Sequence, residues 1–219
     1  MAEKIKNIIF DLGGVILDID ESMTYHELEK MGIDGPAMIH SEAFTIIDGR
    51  FERGIITAST FRKEMKALIG KPTLSDADFD YIWNSMLLDI PRERIQALEA
   101  IKQHYNIFLM SNTNEIHYDL YVRDLQLRFG YKQFDDLFHK SYFSFDIHLM
   151  KPDPLFFEYI IDHERLKPQE TLFIDDTATN IAVAKKMGLK TYPIRRDELV
   201  RNLFVNGVLK PETIDLIEN

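Results

Sequence analysis

The chain has 219 residues, of which 45% are hydrophobic and 28% charged, and its 36 acidic and 26 basic residues give a formal net charge of −10. This composition is typical of a soluble globular protein, and a chain of this length can bury enough surface to fold without disulfides or a structural metal. Cysteine is absent, which excludes disulfide frameworks, thiolate nucleophiles and cysteine-based metal sites. We expect one domain, or one domain with an insertion.

The charge and hydropathy pattern argues against nucleic-acid and membrane partners. Nucleic-acid binding needs clustered Lys and Arg, which an acidic chain of pI near 5.2 does not favour. A small phosphorylated ligand is still compatible with the charge, since a local site can hold it. No uncharged stretch approaches the roughly 18–20 residues that span a bilayer, and the apolar run after Lys6 is too short for a signal peptide. We predict no membrane partner and a cytoplasmic location; the sequence does not indicate the oligomeric state.

Short apolar segments predict the strands of a parallel sheet. They lie at 5–10, 106–110, 141–145, 171–174 and 190–194. The first ends in an apolar run before Asp11 and a glycine pair, which is typical of a buried strand that opens into a loop. Helices are predicted between most strands, including 92–104 and 180–187. Strands that alternate with helices predict an α/β fold whose ligand site lies at the carboxyl ends of the strands.

The segment from about residue 20 to 89 has a different pattern. Apolar residues at spacings of three or four predict helices at 22–31, 36–47, 57–68 and 76–86. Thr57 and Ser75 are predicted N-caps, and Gly49 and Gly54 are predicted helix breakers. We therefore expect a helical insertion, 20–89, in a core made of 1–19 and 90–219. Residues 197–219 are predicted to form a further helical tail.

Polar residues follow the predicted strands at the edge where a ligand would bind. They are Asp11 after the first strand, Ser111 and Asn112 after the second, Lys151 beyond the third, and Asp175 and Asp176 after the fourth. Three converging carboxylates favour Mg²⁺ between them. Lys151 and Ser111 are suited to hold phosphate oxygens, and Asp11 to attack phosphorus and form an aspartyl-phosphate. Taken singly, each group is also compatible with a turn or a helix cap; the ordered combination favours chemistry.

This ordered set closely resembles the four motifs of the haloacid dehalogenase superfamily, whose members are mostly Mg²⁺-dependent phosphatases. The resemblance implies a Rossmann-like doubly wound parallel sheet with an inserted α-helical cap at 20–89. It also implies roles for individual residues: Asp11 as nucleophile, Ser111 and Asn112 as phosphate binders, Lys151 as the motif lysine, and Asp11, the Gly13 carbonyl, Asp175 and Asp176 as metal ligands. The first two motifs are especially similar to a subgroup that includes glucose-1-phosphate phosphatase.

One position departs from the family's pattern. The usual phosphatase has a second Asp two residues after the nucleophile, where it protonates the leaving group, and this chain has Gly13 there. A general acid typically supplies about 10²- to 10⁴-fold in rate. Asp18 and Asp20 lie nearby, but we expect them to shape the exit into the cap. In the cap, the charged residues Arg50, Glu52 and Arg53 lie beside Gly49 and Gly54, where a loop could reach over the metal site or form a solvated turn. Arg53 is the candidate substrate-binding residue among them, and Trp83 is expected in the cap core.

We therefore predict a phosphoric monoester hydrolase that uses Mg²⁺ and acts on a small phosphorylated metabolite, in particular a sugar phosphate. Two alternatives differ in class. One is a metal-independent haloacid dehalogenase, in which the same aspartate attacks carbon, although Asp175 and Asp176 would repel an anionic haloacid. The other is a weakly catalytic protein that binds a phosphate ligand, which the glycine at position 13 motivates.

Overall fold

The computed structural model describes residues 4–195 and 198–217, with a parallel sheet at the centre. Its strands are β1 (Asn7–Phe10), β2 (Asn106–Ser111), β3 (Lys140–Phe143), β4 (Thr171–Asp175) and β5 (Lys190–Pro193). They lie in the order β3-β2-β1-β4-β5, and every neighbouring pair is parallel. The predicted α/β fold is confirmed, and each of these strands overlaps a segment that the sequence predicted.

Helices connect the strands and fill the segment between β1 and β2. They are α1 (Glu21–Lys30), α2 (Gly35–Ile39), α3 (Glu42–Glu52), α4 (Ala58–Leu68), α5 (Asp76–Asn84), α6 (Arg92–Lys102), α7 (Glu115–Phe129), α8 (Ser144–Ile147), α9 (Pro154–His163), α10 (Ala178–Lys186) and α11 (Pro211–Leu216). Among residues 4–195 and 198–217, no helix combines the length and the apolar character that crossing a bilayer requires.

Helices cover both faces of the sheet, which makes it doubly wound. Because side chains alternate along a strand, Ile8 and Phe10 of β1 join the cluster on one face and Ile9 joins the cluster on the other. The first cluster includes residues of α6 and α7, and the second includes residues of α9 and α10. Full burial of each such side chain contributes roughly 1.5–3 kcal/mol. The apolar run in β1 therefore follows from a central strand that is buried on both faces.

Helices α2 to α5 contribute to a separate, largely aromatic cluster. At its centre, Phe61 stacks on Phe51 with ring centroids 4.0 Å apart and meets Trp83 edge-on at 4.9 Å. The same cluster includes Ile116 at the start of α7, so the helical segment packs against the sheet unit there. The division of the chain into 20–89 and the remainder stays a prediction.

Side-chain caps decide where several of these helices begin. Thr57 and Ser75 cap α4 and α5, as predicted, by accepting hydrogen bonds from backbone N–H groups three residues on. The predicted helix 36–47 is wrong as a single element, because Ser41 caps a new helix, α3, after α2 has ended. Gly49, a predicted breaker, lies inside α3.

The third strand and the tail also differ from the prediction. β3 ends at Phe143, because the Ser144 hydroxyl is held by the backbone of a neighbouring loop and begins α8. The tail is not wholly helical: residues 197, 218 and 219 lie outside the described residues, and the remainder contains a two-stranded hairpin, β6 (Phe204–Val205) and β7 (Val208–Leu209), before α11.

Candidate active site

The residues predicted at the sheet edge lie together in the structure. Asp11 directly follows β1, Asp175 ends the neighbouring β4, and Ser111 ends β2 on the other side of β1. These strands are adjacent and parallel, so their carboxyl ends meet where the strand order reverses, between β1 and β4. This switch point is the usual ligand position in a doubly wound sheet.

Lys151 lies between two of the carboxylates and is only 2% exposed. Its Nζ donates hydrogen bonds to Asp11 Oδ1 at 2.6 Å and to Asp175 Oδ2 at 2.8 Å. Burial alone would favour the neutral amine, but the charges of Asp11 and Asp175 outweigh it and raise the pKa of Lys151. The side chain is therefore an ammonium group that compensates part of the local negative charge.

The carboxylate of Asp175 is fixed by hydrogen bonds on both oxygens. The backbone N–H of Thr177 donates to Oδ1 at 2.8 Å, and Asn180 Nδ2 donates to Oδ1 at 3.1 Å and to Oδ2 at 3.0 Å. Lys151 donates to Oδ2 as well. Asp175 is fully buried, and these contacts satisfy a charge that burial would otherwise make costly.

Asp176 completes a cluster of acidic oxygens. One carboxylate oxygen from each of Asp11, Asp175 and Asp176 lies within 4.8 Å of the others. Burial raises the pKa of Asp11; Lys151 opposes that rise and the charge of Asp175 adds to it. Three carboxylates against one ammonium leave an excess of negative charge, and their oxygens are the ligands that hard cations prefer. The residues present fit a divalent cation such as Mg²⁺.

Gly14, the second glycine in the loop after Asp11, is required for steric reasons. Gly14 has φ = +76°, and a Cβ on it would lie 2.6 Å from Asp176 Oδ2, so no other residue fits without displacing that carboxylate. Gly13 lines the cavity beside Asp11. The loop after β1 therefore passes close to the acidic cluster, with the backbone of Gly13 at the site.

Asn112 and Ser111 occupy the β2 side of the site. The Asn112 side chain binds the backbone of Lys151 in both directions: Nδ2 donates to the Lys151 carbonyl, and the Lys151 N–H donates to Oδ1, each at 2.8 Å. Ser111 is 2% exposed and lines the cavity. The structure therefore places both residues at the site, and gives Asn112 a positioning contact with Lys151 that the sequence did not indicate.

Asp18 and Asp20 make structural contacts, as expected. Asp18 forms an ion pair with Arg94 at 2.7 Å, and Asp20 caps α1 by accepting a hydrogen bond from the backbone N–H of Ser22 at 3.0 Å. Neither lines the cavity above the acidic cluster.

The structure does not bring Arg53 to the cavity wall. Its guanidinium donates to the carbonyl of Gly49 at 2.9 Å, and its own carbonyl lies 2.7 Å from His148 Nδ1. The substrate-binding role of Arg53 therefore stays a prediction. Trp83 is 8% exposed within the aromatic cluster, as expected, and also forms part of the cavity wall.

A cavity of about 490 Å³ extends from the acidic cluster to the helical segment. Two carboxyl groups of α3 line its far wall: Asp48, which the sequence analysis did not single out, and Glu52, a member of the charged group considered there beside Gly49 and Gly54. Burial raises the pKa of both carboxyls, and the neighbouring Asp48 raises that of Glu52 further. Their spacing of four residues places them on one helix face, which is the signal by which the sequence alone indicates that the two carboxyls are neighbours.

The sequence and the fold place the protein in a known family. Residues 5–188 match the haloacid dehalogenase-like hydrolases, and the chain belongs to this family. The D-ribitol-5-phosphate phosphatase of Bacteroides thetaiotaomicron is 30% identical over 189 residues, which cover 86% of this chain and 91% of that protein. The predicted enzyme class, a phosphoric monoester hydrolase, is confirmed.

Solved structures show the same relationship. A haloacid dehalogenase family enzyme from B. thetaiotaomicron, in complex with magnesium and inorganic phosphate, is 32% identical with a TM-score of 0.83 over 92% of this chain and 100% of that chain. A haloacid dehalogenase-like hydrolase from Porphyromonas gingivalis is 29% identical with a TM-score of 0.80 over 90% of this chain and 94% of that chain. The similarity to the glucose-1-phosphate phosphatase subgroup stays a prediction.

Proposed function

We propose that the protein is a Mg²⁺-dependent phosphatase that hydrolyses the phosphomonoester of a small polyhydroxylated metabolite, a sugar phosphate or the phosphate of a sugar alcohol. The observation that carries the proposal is the contact of Lys151 with both Asp11 and Asp175 at the base of the cavity. This arrangement keeps a nucleophilic carboxylate, an ammonium group and an acidic cation site within one enclosed space, which is what phosphoryl transfer to a carboxylate requires.

Asp11 is the proposed nucleophile. A carboxylate oxygen bonds to phosphorus, the ester bond to the alcohol breaks, and water then hydrolyses the resulting aspartyl-phosphate. Lys151 favours the ionised form of Asp11 and offers its charge to the phosphoryl oxygens. The Ser111 hydroxyl and the backbone N–H groups near it are proposed to bind the remaining phosphoryl oxygens, and Asn112 to help fix the phosphate while it holds the backbone of Lys151.

Mg²⁺ is the metal cofactor. When bound, it neutralises the carboxylates and the charge on the phosphoryl group. The proposed ligands are Asp11, Asp175, Asp176 and the carbonyl of Gly13. Because four hydrogen bonds already occupy the oxygens of Asp175, its main contribution is to hold Lys151 and Asn180 in place.

Residues 20–89 are proposed to act as a cap over the core formed by 1–19 and 90–219. The two connecting segments run side by side: the Asp18 N–H donates to the Asp89 carbonyl at 2.8 Å, and the Leu88 N–H donates to the Asp18 carbonyl at 2.9 Å. Such pairing lets the two connections move as one hinge. Closure of the cap would exclude water from the site during phosphoryl transfer.

The wall of the cavity supports a substrate with several hydroxyl groups. Its helical side includes the carboxyl groups of Glu21, Asp48 and Glu52, which form hydrogen bonds with hydroxyls and offer no cation to a second anionic group on the substrate. The relative that is named for D-ribitol 5-phosphate supports the same class. Arg53 is also proposed as a substrate contact, for which its guanidinium would leave the Gly49 carbonyl.

The test is phosphate release from a panel of phosphomonoesters. The panel contains phosphates of sugar alcohols, of aldoses at C1 and at the terminal carbon, and of carboxylic acids, each with Mg²⁺ and with EDTA. We expect Mg²⁺-dependent turnover of neutral polyols and little turnover of the carboxylic acid phosphates. Chloride release from a haloacid in EDTA, or tight binding of a panel member without turnover, would support one of the two alternatives instead.

The matched variant is Asp11→Asn, which keeps the size of the side chain and removes its nucleophilic charge. We expect turnover to fall by about 10⁴-fold or more, because the amide of asparagine cannot act as the nucleophile that forms the aspartyl-phosphate. Circular dichroism checks that the fold is retained, and Asp119→Asn on the exposed side of α7 is the control. Undiminished turnover in Asp11→Asn would refute Asp11 as nucleophile.

A further inference from the structure

The structure leaves the departing alcohol without a proton donor beside the nucleophile. Position 13 is glycine, and Asp18 and Asp20 are engaged elsewhere. An alkoxide is a strong base, so its expulsion from an alkyl phosphate is slow unless a proton reaches the oxygen as the bond breaks. A proton donor for a sugar or sugar-alcohol substrate therefore has to come from another wall of the cavity.

Two ionisable groups in the cavity wall, His117 and Tyr121, are unsuitable as this proton donor. His117 has both ring nitrogens engaged, with Asn114 at 3.2 Å and with the Trp83 carbonyl at 3.2 Å, and burial lowers its pKa to about 4. Tyr121 bonds to the Thr113 hydroxyl at 2.9 Å, and burial raises its pKa. The histidine is therefore neutral with no nitrogen left for substrate, and the phenol is too weak an acid.

The pair of Glu21 and Tyr25 lies at the start of α1. Glu21 is exposed and Tyr25 is half-buried, and the Tyr25 hydroxyl lies 3.5 Å from a Glu21 oxygen. Neither group lies in an enclosed part of the cavity wall, and the Tyr25 phenol is a weak acid whose pKa is raised further by burial and by Glu21.

Asp48 and Glu52 differ in this respect, because they lie one turn apart on α3 and are half-buried in the cavity wall. Burial is the largest influence on the pKa of each carboxyl and raises it. Asp48 raises the pKa of Glu52 further, whereas Arg53 and Lys151 lower it by less. Both carboxyls line the same cavity as Asp11 and Lys151. Glu52 is the last residue of α3, two positions before Gly54, which lies directly against the Phe145 carbonyl of α8. Glu52 is therefore the member of the pair that lies nearer to the contact between α3 and the sheet unit.

We propose that Glu52 is the general acid for the alcohol leaving group, a catalytic role that rests on the proposed phosphatase function. As an oxygen of Asp11 bonds to phosphorus, the ester P–O bond breaks and the Glu52 proton passes to the departing oxygen, so the alcohol leaves neutral. A water oxygen then bonds to phosphorus, its proton returns to the Glu52 carboxylate, and the bond from Asp11 to phosphorus breaks. Inorganic phosphate is released and both residues are restored.

This role couples chemistry to the position of the helical segment. Glu52 is the last residue of α3, whereas Asp11 follows a strand of the sheet. The acid therefore reaches the leaving oxygen only when α3 lies over the sheet edge, as it does in this structure. If substrate binds while α3 is displaced from the sheet edge, Asp11 can contact the phosphate but Glu52 cannot reach the leaving oxygen.

The experiment compares leaving groups in Glu52→Gln. With Mg²⁺ present, kcat is measured on an alkyl phosphate, such as ribitol 5-phosphate, and on p-nitrophenyl phosphate, whose phenolate needs no proton to depart. We expect the alkyl rate to fall by about 10²- to 10⁴-fold and the aryl rate to change far less. The retained aryl rate also shows that the variant folds. The alkyl pH profile should lose its fall at high pH, which reports a group that must be protonated.

Two further variants sharpen the result. Glu42→Gln, in the exposed first turn of the same helix, should leave both rates unchanged. Gly13→Asp in the Glu52→Gln background should restore part of the alkyl rate, since a Cβ at position 13 meets only Ile19 at van der Waals distances, 3.4 and 3.9 Å. Equal losses on both substrates, or no loss on either, would overturn the role of Glu52. Absence of turnover in the unaltered protein would instead refute the proposed function.

Discussion

At the scale of single residues, His117 joins the sheet unit to the helical segment. It lies in the first turn of α7, its ring stacks on Trp83 with centroids 5.4 Å apart, and its Nε2 lies 3.2 Å from the Trp83 carbonyl. Burial disfavours the charged imidazolium and lowers the pKa to about 4 from 6.5, although the Trp83 carbonyl opposes the shift. The burial of this one ring between the two units therefore disfavours its protonation in the folded protein.

A pH dependence of stability follows from His117. Because the folded-state pKa is lower than the unfolded value, the folded protein binds fewer protons between pH 6.5 and 4. The contribution is complete above pH 6.5 and is lost as the pH falls through this window. From these values, His117→Gln should remove about 2 kcal/mol of the change in unfolding free energy between pH 7 and 5. Urea titrations at the two pH values measure it.

The control for this prediction is His26→Gln, which alters an exposed ring on α1. The raised pKa values of Asp11, Asp48 and Glu52 act in the opposite direction, since stability from protonated carboxyls falls as the pH rises. These three carboxyls are present in the unaltered protein and in both histidine variants, so their effect on the pH dependence of stability cancels in the comparison. An unchanged pH dependence in His117→Gln would contradict the shift assigned to His117.

At the scale of elements, the turn between α3 and α4 decides how closely the helical segment approaches the sheet unit. Gly54 in this turn has φ = +62°, and a Cβ on it would lie 2.0 Å from the carbonyl oxygen of Phe145 in α8. Glycine is needed here twice: for the left-handed backbone and for the approach to α8. Since α3 ends two residues earlier at Glu52, the same turn positions the proposed acid.

Gly54→Ala should therefore impair catalysis more than folding. The left-handed conformation costs an alanine about 1–2 kcal/mol, and the contact with Phe145 forces the end of α3 away from the site. We expect kcat/KM on an alkyl phosphate to fall by at least about 10-fold, because a small displacement of a positioned group has effects of this size. Steady-state kinetics and urea unfolding measure the two effects separately.

Gly70→Ala is the matched control. Gly70 also has a positive φ, +68°, but a Cβ on it meets nothing within 4 Å. Gly70→Ala should therefore lower the free energy of unfolding through backbone strain alone and leave kcat/KM unchanged. Equal effects of the two substitutions on kcat/KM would show that the contact with Phe145 does not matter for the site.

Local patterns in the sequence are enough to predict most of the strands and the hairpin in the tail. Apolar runs bounded by Asp11 or by Asp175 identify strands because a central parallel strand is buried on both faces. The tail was predicted as helical although Asn206-Gly207 between two Val-containing pairs is the pattern of a tight hairpin, and both residues have positive φ. That signal was present in the sequence, so the hairpin was predictable.

Other features depend on tertiary contacts and could not be predicted. The end of β3 depends on Ser144, whose hydroxyl binds the backbone of Thr113, 31 positions away. The pairing of Asn112 with the backbone of Lys151 joins residues 39 positions apart. Residues that follow parallel strands meet at one edge of the sheet, whichever side chains they contact there. The convergence of the site residues was therefore predictable, whereas their individual hydrogen bonds were not.

At the scale of the whole molecule, the uneven distribution of charge links stability to the metal. The chain carries a net charge of −10, and three of its carboxylates meet at one sheet edge, where Lys151 compensates only in part. The unfolded chain separates these groups and has no such site. A cation that binds only the folded protein therefore stabilises it by mass action.

We expect Mg²⁺ to raise the melting temperature for this reason. At about 100 times its dissociation constant, Mg²⁺ should add about 2.7 kcal/mol, which corresponds to roughly 5–10 °C for a chain of this size. Differential scanning fluorimetry with Mg²⁺ and with EDTA measures the shift. Asp176→Asn should lose most of it, because an amide oxygen replaces an anionic ligand, whereas Asp119→Asn on exposed α7 should keep it. An equal shift in both variants would mean that Mg²⁺ stabilises the protein at some place other than the acidic cluster.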